Sequence, residues 1–246
     1  HLAGYLDNYG EEMDFSKYAD VNIKSIALMF EVIVKDGSPR KIKKVIIASS
    51  QSVYGEGLYL KDLPLPEKED DPLAPLSMYG ASKAAMEDVV LTLGRIYKIP
   101  VTILRYSIVL GADQKYKDAD SRILPCFVDM AKKGEIVTHE DGNQMRDFIH
   151  IDDIVDAHLF MMKNRESDYE VFNVGFGQAT RVIEVAEYIA SKFGATVKSS
   201  GIKRINTARN QIMNIDKIKY LGWNPKKTWK DAVDEYINFN QTNPAL

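Results

Sequence analysis

The chain has 246 residues, 45% of them hydrophobic, enough to bury one large core or two small ones. Its 32 basic and 35 acidic residues leave a formal charge of −3, which excludes bulk electrostatic attraction to nucleic acid or a membrane surface. No apolar run approaches the roughly 20 residues that span a bilayer, no basic-then-apolar leader opens the chain, and a single cysteine, Cys126, excludes an intrachain disulfide framework and suits a reducing, cytoplasmic setting.

In chain order, Ser16 to Asp36 carries apolar residues at helical spacing (Ile23, Ile26, Ala27, Phe30, Ile33, Val34) and stops at Gly37-Ser38-Pro39, which predicts a helix. Val45 to Ala48 is a short continuous apolar run, as expected of a parallel strand buried on both faces. Prolines 64, 66, 72 and 75 among many acids predict an ordered surface loop over 63–75. A helix over Tyr79 to Tyr97 and a strand over Val101 to Leu104 follow. Such alternation predicts an α/β fold with a doubly wound parallel sheet. From about residue 111 the pattern loosens into short pieces. Thr228-Trp229-Lys230-Asp231 has capping-box spacing ahead of a last helix through Ala232, Val233, Tyr236 and Ile237. The expected division is a core over 1–110 and a C-terminal lobe over 111–246, some of whose segments return to the core. Cys126, within Ile123-Leu124-Pro125-Cys126-Phe127-Val128, reads as a buried small hydrophobe. The histidines, at 1, 139, 150 and 158, lack metal-ligand spacing, so no metal is expected.

The chemistry-bearing residues cluster at two places. Ser49-Ser50 closes the run that begins at Lys44, and Tyr79 and Lys83 stand four apart in Met78-Tyr79-Gly80-Ala81-Ser82-Lys83. On a helix, residues four apart share a face, so Lys83 is expected against the Tyr79 hydroxyl. A nearby cation would lower the phenol from its usual value of about 10, towards a base able to take a proton from a carbinol. The spacing alone is weak, because Tyr188 and Lys192 repeat it inside Val182-Ile183-Glu184-Val185-Ala186-Glu187-Tyr188, where amphipathic packing explains the pattern.

Four stretches occur in order: Ser49-Ser50-Gln51-Ser52-Val53-Tyr54-Gly55, Tyr79-Gly80-Ala81-Ser82-Lys83, Leu104-Arg105-Tyr106-Ser107 and Arg146-Asp147-Phe148-Ile149-His150. With Phe172-Asn173-Val174-Gly175 and Leu221-Gly222-Trp223-Asn224-Pro225, the chain resembles the extended short-chain dehydrogenase/reductases, specifically the nucleotide-sugar epimerase/dehydratase group. The resemblance implies a Rossmann-like core with a small substrate lobe, and NAD or NADP as cofactor. That family opens on a glycine-rich turn at a helix N-terminus. No such turn is present here, and His1-Leu2-Ala3-Gly4 reads like the segment that ends the family's fourth strand. The chain is therefore expected to begin in mid-domain, without the strand that reads the cofactor ribose.

The same resemblance implies roles residue by residue. Ser50, Tyr79 and Lys83 would be catalytic, with Ser49 structural. Leu2, Ala3, Gly4, Tyr79, Lys83 and Ser107 would hold the cofactor. Ser50, Gln51, Arg146, Arg204 and Arg209 would hold a nucleotide-diphosphate sugar, whose phosphates suit guanidinium. Family dehydratases carry Asp-Glu where this chain has Gln51-Ser52, and neither side chain is a carboxylic acid. The expected reaction is accordingly 4-epimerisation by reversible oxidation, with another oxidoreductase or dehydratase of the group, or a non-catalytic sugar-nucleotide-binding fragment, as alternatives. Ile108 replaces an asparagine common in such epimerases, Ser25 replaces a glycine, and Asn22 is expected to be mainly structural. A homodimer is expected by analogy, with Ala84, Ala85, Met86, Val89, Val90 and Leu93 as candidates for its interface.

Overall fold

A computed structural model describes residues 1–6, 14–37, 39–60, 63–114, 122–203 and 207–242. The elements in chain order are α1 (Phe15–Tyr18), α2 (Ser25–Lys35), β1 (Val45–Ser50), β2 (Tyr59–Leu60), β3 (Leu63–Pro64), α3 (Met78–Tyr97), β4 (Val101–Tyr106) and β5 (Ile108–Leu110). The second half adds α4 (Ile123–Lys132), β6 (Glu135–Thr138), β7 (Met145–Arg146), β8 (Phe148–His150), α5 (Ile151–Lys163) and β9 (Glu170–Val174). It closes with β10 (Thr180–Arg181), α6 (Val182–Phe193), β11 (Thr196–Ser199), α7 (Asp216–Tyr220) and α8 (Trp229–Thr242).

β1, β4 and β9 form a parallel sheet in the order β1-β4-β9, with Val45 opposite Val101 and Thr102 opposite Glu170. Successive strand residues point to opposite faces, so an unbroken apolar run requires cover on both. Ile47 and Ile103 pack with Ile26, Phe30, Met86 and Val90 of α2 and α3. Ile46, Leu104 and Phe172 pack with Ile154, Ala157 and Met161 of α5. The sheet is thus doubly wound, as its sequence pattern predicts, and β9 and α5 reach it from beyond residue 110. Alongside β1, Ala48 donates its N–H to the His1 carbonyl at 3.1 Å, and the His1 amino group donates to the Ile46 carbonyl at 2.7 Å. A separate core of Leu124, Phe127, Val185, Ile189, Val233 and Ile237 joins α4, α6 and α8. Cys126 is buried in α4.

Three details differ from the sequence expectations. The helix predicted over 16–36 is interrupted by a π-helical turn, Ala19–Lys24, which turns Asn22 into the interior. β1 runs on to Ser50 because its ladder with β4 continues through the pair Ser50 and Tyr106. Met86 and Val90, expected at a dimer interface, are 1% and 0% exposed, because the apolar stripe of α3 is spent on the sheet and α2. The large apolar side chains left exposed on these two helices include Leu28, Val32 and Ile96. Among the described residues, no helix is long and apolar enough to cross a membrane.

Candidate active site

The carboxyl end of β1 and the first turn of α3 meet because one residue has no side chain. A Cβ at Gly80 would lie 2.3 Å from the Ser52 carbonyl oxygen, so only glycine lets the helix abut the 3₁₀ turn Gln51–Val53. Ser77 caps α3, its hydroxyl accepting the Gly80 N–H at 3.1 Å. Ser50 caps the turn, its hydroxyl accepting the Ser52 N–H at 3.2 Å. That same hydroxyl donates to the Ser52 hydroxyl at 3.1 Å and acts to lower the Tyr79 phenol. Lys83 is buried one turn along α3, its Nζ donating to the Ala48 carbonyl at 2.9 Å and lying 5.8 Å from the Tyr79 ring centroid. The structure therefore brings Ser50, Tyr79 and Lys83 together at the carboxyl end of a parallel strand, where α/β sheets bind their ligands.

The electrostatics correct one expectation. The Tyr79 phenol is raised, not lowered: burial dominates and only the Ser50 hydrogen bond opposes it. The Lys83 ammonium is turned onto a backbone carbonyl, and burial lowers it to about 8, with the Glu87 carboxylate opposing. In the second copy, Lys192 lies closer to its tyrosine, 4.5 Å from the Tyr188 centroid. There, however, Tyr188 donates to Asp234 at 2.8 Å and Lys192 pairs with the same carboxylate at 2.8 Å. Neighbours separate the two copies, and spacing does not.

Asn22 secures the other side of the site. Its side chain accepts the Tyr5 N–H at 2.6 Å, and donates to the Tyr5 carbonyl at 3.0 Å and to the Ser82 hydroxyl at 2.8 Å. Gly4 sits where a Cβ would be 3.2 Å from Lys83 Nζ, while Leu2 and Ala3 are exposed. Ser107 is buried, and its hydroxyl has no hydrogen-bond partner among the described residues.

Gln51, Arg146 and Arg209, three of the residues expected to hold substrate, meet at a strap of chain over 207–214. Gln51 is buried and donates to Gln211 Oε1 at 3.4 Å. Arg146 donates to the carbonyls of Met145 at 2.9 Å and Ala208 at 2.8 Å, and also to that of Arg209. Arg209 pairs with Glu140 and, at 3.2 Å, with Asp141. With Lys203 it lines an open cavity of about 350 Å³. Arg204 lies outside the described residues.

Sequence reasoning missed the acids that hold this strap. Asp147 is fully buried and accepts N–H bonds from Phe176 at 2.8 Å, Gly177 at 2.9 Å and Met213 at 3.3 Å. Its place in the Arg146-to-His150 motif was the available signal. Glu67 gives its backbone to Ile212 and Asn214, while its buried Oε2 has no hydrogen-bond partner. Burial, reinforced by Asp147 and Asp71, pushes Glu67 up to about 8 from 4.5. Its carboxyl is protonated in the folded chain where the unfolded chain ionises. Stability from this group is thus full below about pH 4.5 and lost as pH rises through 8. Chemical denaturation from pH 4 to 9 should show a loss of up to about 1.4 kcal/mol per pH unit across that window, which Glu67→Gln removes.

His150, Asp152 and Glu235 bring three possible ligand atoms within 4.8 Å of one another. Lys227 already bridges the two carboxylates, at 2.6 and 2.8 Å, and His150 Nδ1 accepts the Asp152 N–H, which makes the cluster an ion-pair network at the start of α5.

The chain belongs to the NAD dependent epimerase/dehydratase family, whose model matches residues 1–175. It is 32% identical over 227 residues to the putative UDP-glucose 4-epimerase of Methanocaldococcus jannaschii, covering 91% of this chain and 70% of that protein. It is 29% identical over 265 residues to the dTDP-L-rhamnose 4-epimerase of Burkholderia thailandensis, covering 96% and 72%. Among solved structures, MoeE5 in complex with UDP-glucuronic acid and NAD superposes with a TM-score of 0.85 at 26% identity, covering 99% of this chain and 78% of that one. The family's cofactor is NAD. The bare Cα of Gly4 against Lys83 fits such a cofactor, since it keeps a side chain off the ammonium.

Proposed function

We propose that this protein is an NAD-dependent 4-epimerase of a nucleotide-diphosphate sugar. The observation that carries the reading is the convergence of Ser50, Tyr79 and Lys83 beside a turn, Gln51–Val53, that holds no carboxylic acid. Both curated relatives named above are described as 4-epimerases. NAD, when bound, supplies the acceptor and donor of hydride. Tyr79 takes the proton of the sugar C4 hydroxyl and returns it, and Ser50 hydrogen-bonds the same oxygen. Lys83 holds positive charge beside the phenolate as it forms. Gln51 faces the sugar with a carboxamide, which can donate and accept but cannot protonate a leaving hydroxyl. Leu2, Ala3, Gly4 and Ser107 complete the nicotinamide side, and Arg146 and Arg209 the diphosphate side. Arg209 exchanges Glu140 and Asp141 for phosphate oxygens when substrate enters.

The setting is cytoplasmic, in keeping with one buried cysteine, and the partner is small. A homodimer would use the exposed Leu28, Val32 and Ile96, and a monomer mass in light scattering would retire it.

The test is a panel of nucleotide hexoses incubated in deuterated water with the NAD-loaded, full-length polypeptide and read by NMR. Inversion at C4 without net cofactor consumption is the expected outcome. Loss of water with deuterium entering at C5 would mean dehydration instead. Stoichiometric turnover of NAD(P)H would mean a net oxidoreductase.

A further inference from the structure

The turn that follows β6 carries a backbone conformation its side chain does not favour. Glu140 sits at φ 48°, in the left-handed region where glycine is at ease and a long side chain is strained. Its main chain is pinned there by the segment after β11. The Glu140 N–H donates to the Ile202 carbonyl at 3.0 Å, and the Glu140 carbonyl accepts the Gly201 N–H at 3.2 Å and the Ser199 hydroxyl.

What the strained turn delivers is a carboxylate. Glu140 pairs with Arg209 at the open cavity that both line with Lys203. Its side chain is 16% exposed and that of Arg209 41%, so the anion is the more enclosed partner. Asp141 reaches the same guanidinium at 3.2 Å, but is 53% exposed and also accepts the Asn143 N–H at 3.0 Å. Arg209 is fixed by its main chain, its N–H donating to the Glu56 carboxylate at 3.0 Å. One guanidinium thus faces two carboxylates from one turn, more than a single cation needs for neutrality. A half-exposed ion pair adds little to stability, too little to account for a glutamate held in a strained conformation. Strain kept at a side chain that faces a cavity is a mark of function.

We propose that Glu140 is a specificity-determining residue: a built-in anion that stands in the place of a phosphate on Arg209 and is displaced by the substrate's own. The inference rests on the reading of Arg209 as a ligand of the diphosphate, and adds a competitor that belongs to the protein. Because the backbone of Glu140 is held by residues 199, 201 and 202, the exchange needs only a side-chain rotation into the cavity. A neutral or singly charged group gains no more from the guanidinium than Glu140 already does, so the pair stays closed to it. A diphosphate, with more charge and more acceptor oxygens, opens the pair.

The experiment is a calorimetric titration of the full-length protein with inorganic pyrophosphate, a probe that needs neither a sugar nor turnover. Glu140→Gln, which keeps the size and removes the charge, is expected to tighten binding about fivefold, the upper end of what an ion pair of this exposure holds. Asp141→Asn should gain less, about twofold. In an Arg209→Ala background, Glu140→Gln should neither restore nor improve binding, which separates competition for Arg209 from a general change of field. Glu140→Gly relieves the backbone and should bind at least as tightly as Glu140→Gln, with a Tm no lower than the parent's; it replaces Glu140→Gln should that variant fail to fold. Unchanged affinity in these variants, or an equal gain with and without Arg209, overturns the proposal and leaves the diphosphate reading standing. Pyrophosphate binding by none of the proteins, or binding that Arg209→Ala does not weaken, overturns both.

Discussion

Tyr79→Phe should cost about 10³-fold in kcat, within the range that acid–base catalysis contributes, while KM for the sugar nucleotide stays within a small factor. The split follows from the geometry. The substitution removes one oxygen and keeps the ring, whose centroid lies 5.8 Å from Lys83 Nζ. An interaction needed only as the proton moves is lost from kcat and spares ground-state binding. The pH dependence of the parent enzyme is equally specific. Lys83 lies near 8 and the phenol above its usual value, so the pair releases its first proton near pH 8. The form with phenolate and ammonium holds one proton between the two groups, so its fraction grows as pH rises to about 8 and is level above. Activity should rise through that range and plateau. A fall beginning near 8 would contradict this assignment.

Asp147→Ala should be the most damaging single change to stability. Three backbone N–H groups, those of Phe176, Gly177 and Met213, lose their acceptor at a position with no access to water. Each orphaned donor costs about 1–3 kcal/mol, so a loss of about 3–9 kcal/mol is expected for the three. At about 2–4 °C per kcal/mol for a chain of this size, Tm should fall by roughly 10 °C or more in calorimetry. Removing an ionisable group that burial pushes up to about 6 returns part of this at neutral pH, so the loss should be larger at pH 5 than at pH 8. Equal losses at the two values would show that the carboxyl's charge is not a component.

The strands and helices that carry the site were legible because their signals are local. The run from Val45 and the helical spacing after Tyr79 need only a two-sided sheet and one buried stripe. What the sequence left hidden depends on contacts between distant segments. The π turn around Asn22 exists to meet Ser82, sixty residues on. The phenol of Tyr79 rises because tertiary packing buries it, and a rule about residues four apart cannot anticipate that Lys83 turns to Ala48. Met86 and Val90 looked like candidates for a partner surface because an apolar stripe does not say what it faces. Arg146 matches a motif, yet the orientation of its guanidinium, onto carbonyls of 208 and 209, is set by a strap sixty residues downstream.

Much of what secures that strap runs through its main chain. Glu56 takes the Arg209 N–H, Met145 and Asp147 exchange backbone bonds with Gln211, Glu67 bonds Ile212 and Asn214, and the Asp147 carboxylate takes the Met213 N–H. None of these anchors depends on which side chain the strap presents at 209 or 211, whereas Met213 is fully buried in the core. Positions 209 and 211 can mutate while the backbone path stays fixed, and Ser50, Tyr79 and Lys83 are held by separate contacts of their own. On the proposed function, selection could retune which nucleotide sugar is accepted without disturbing the proton chemistry, and a directed-evolution library confined to 209 and 211 would yield folded proteins at high frequency.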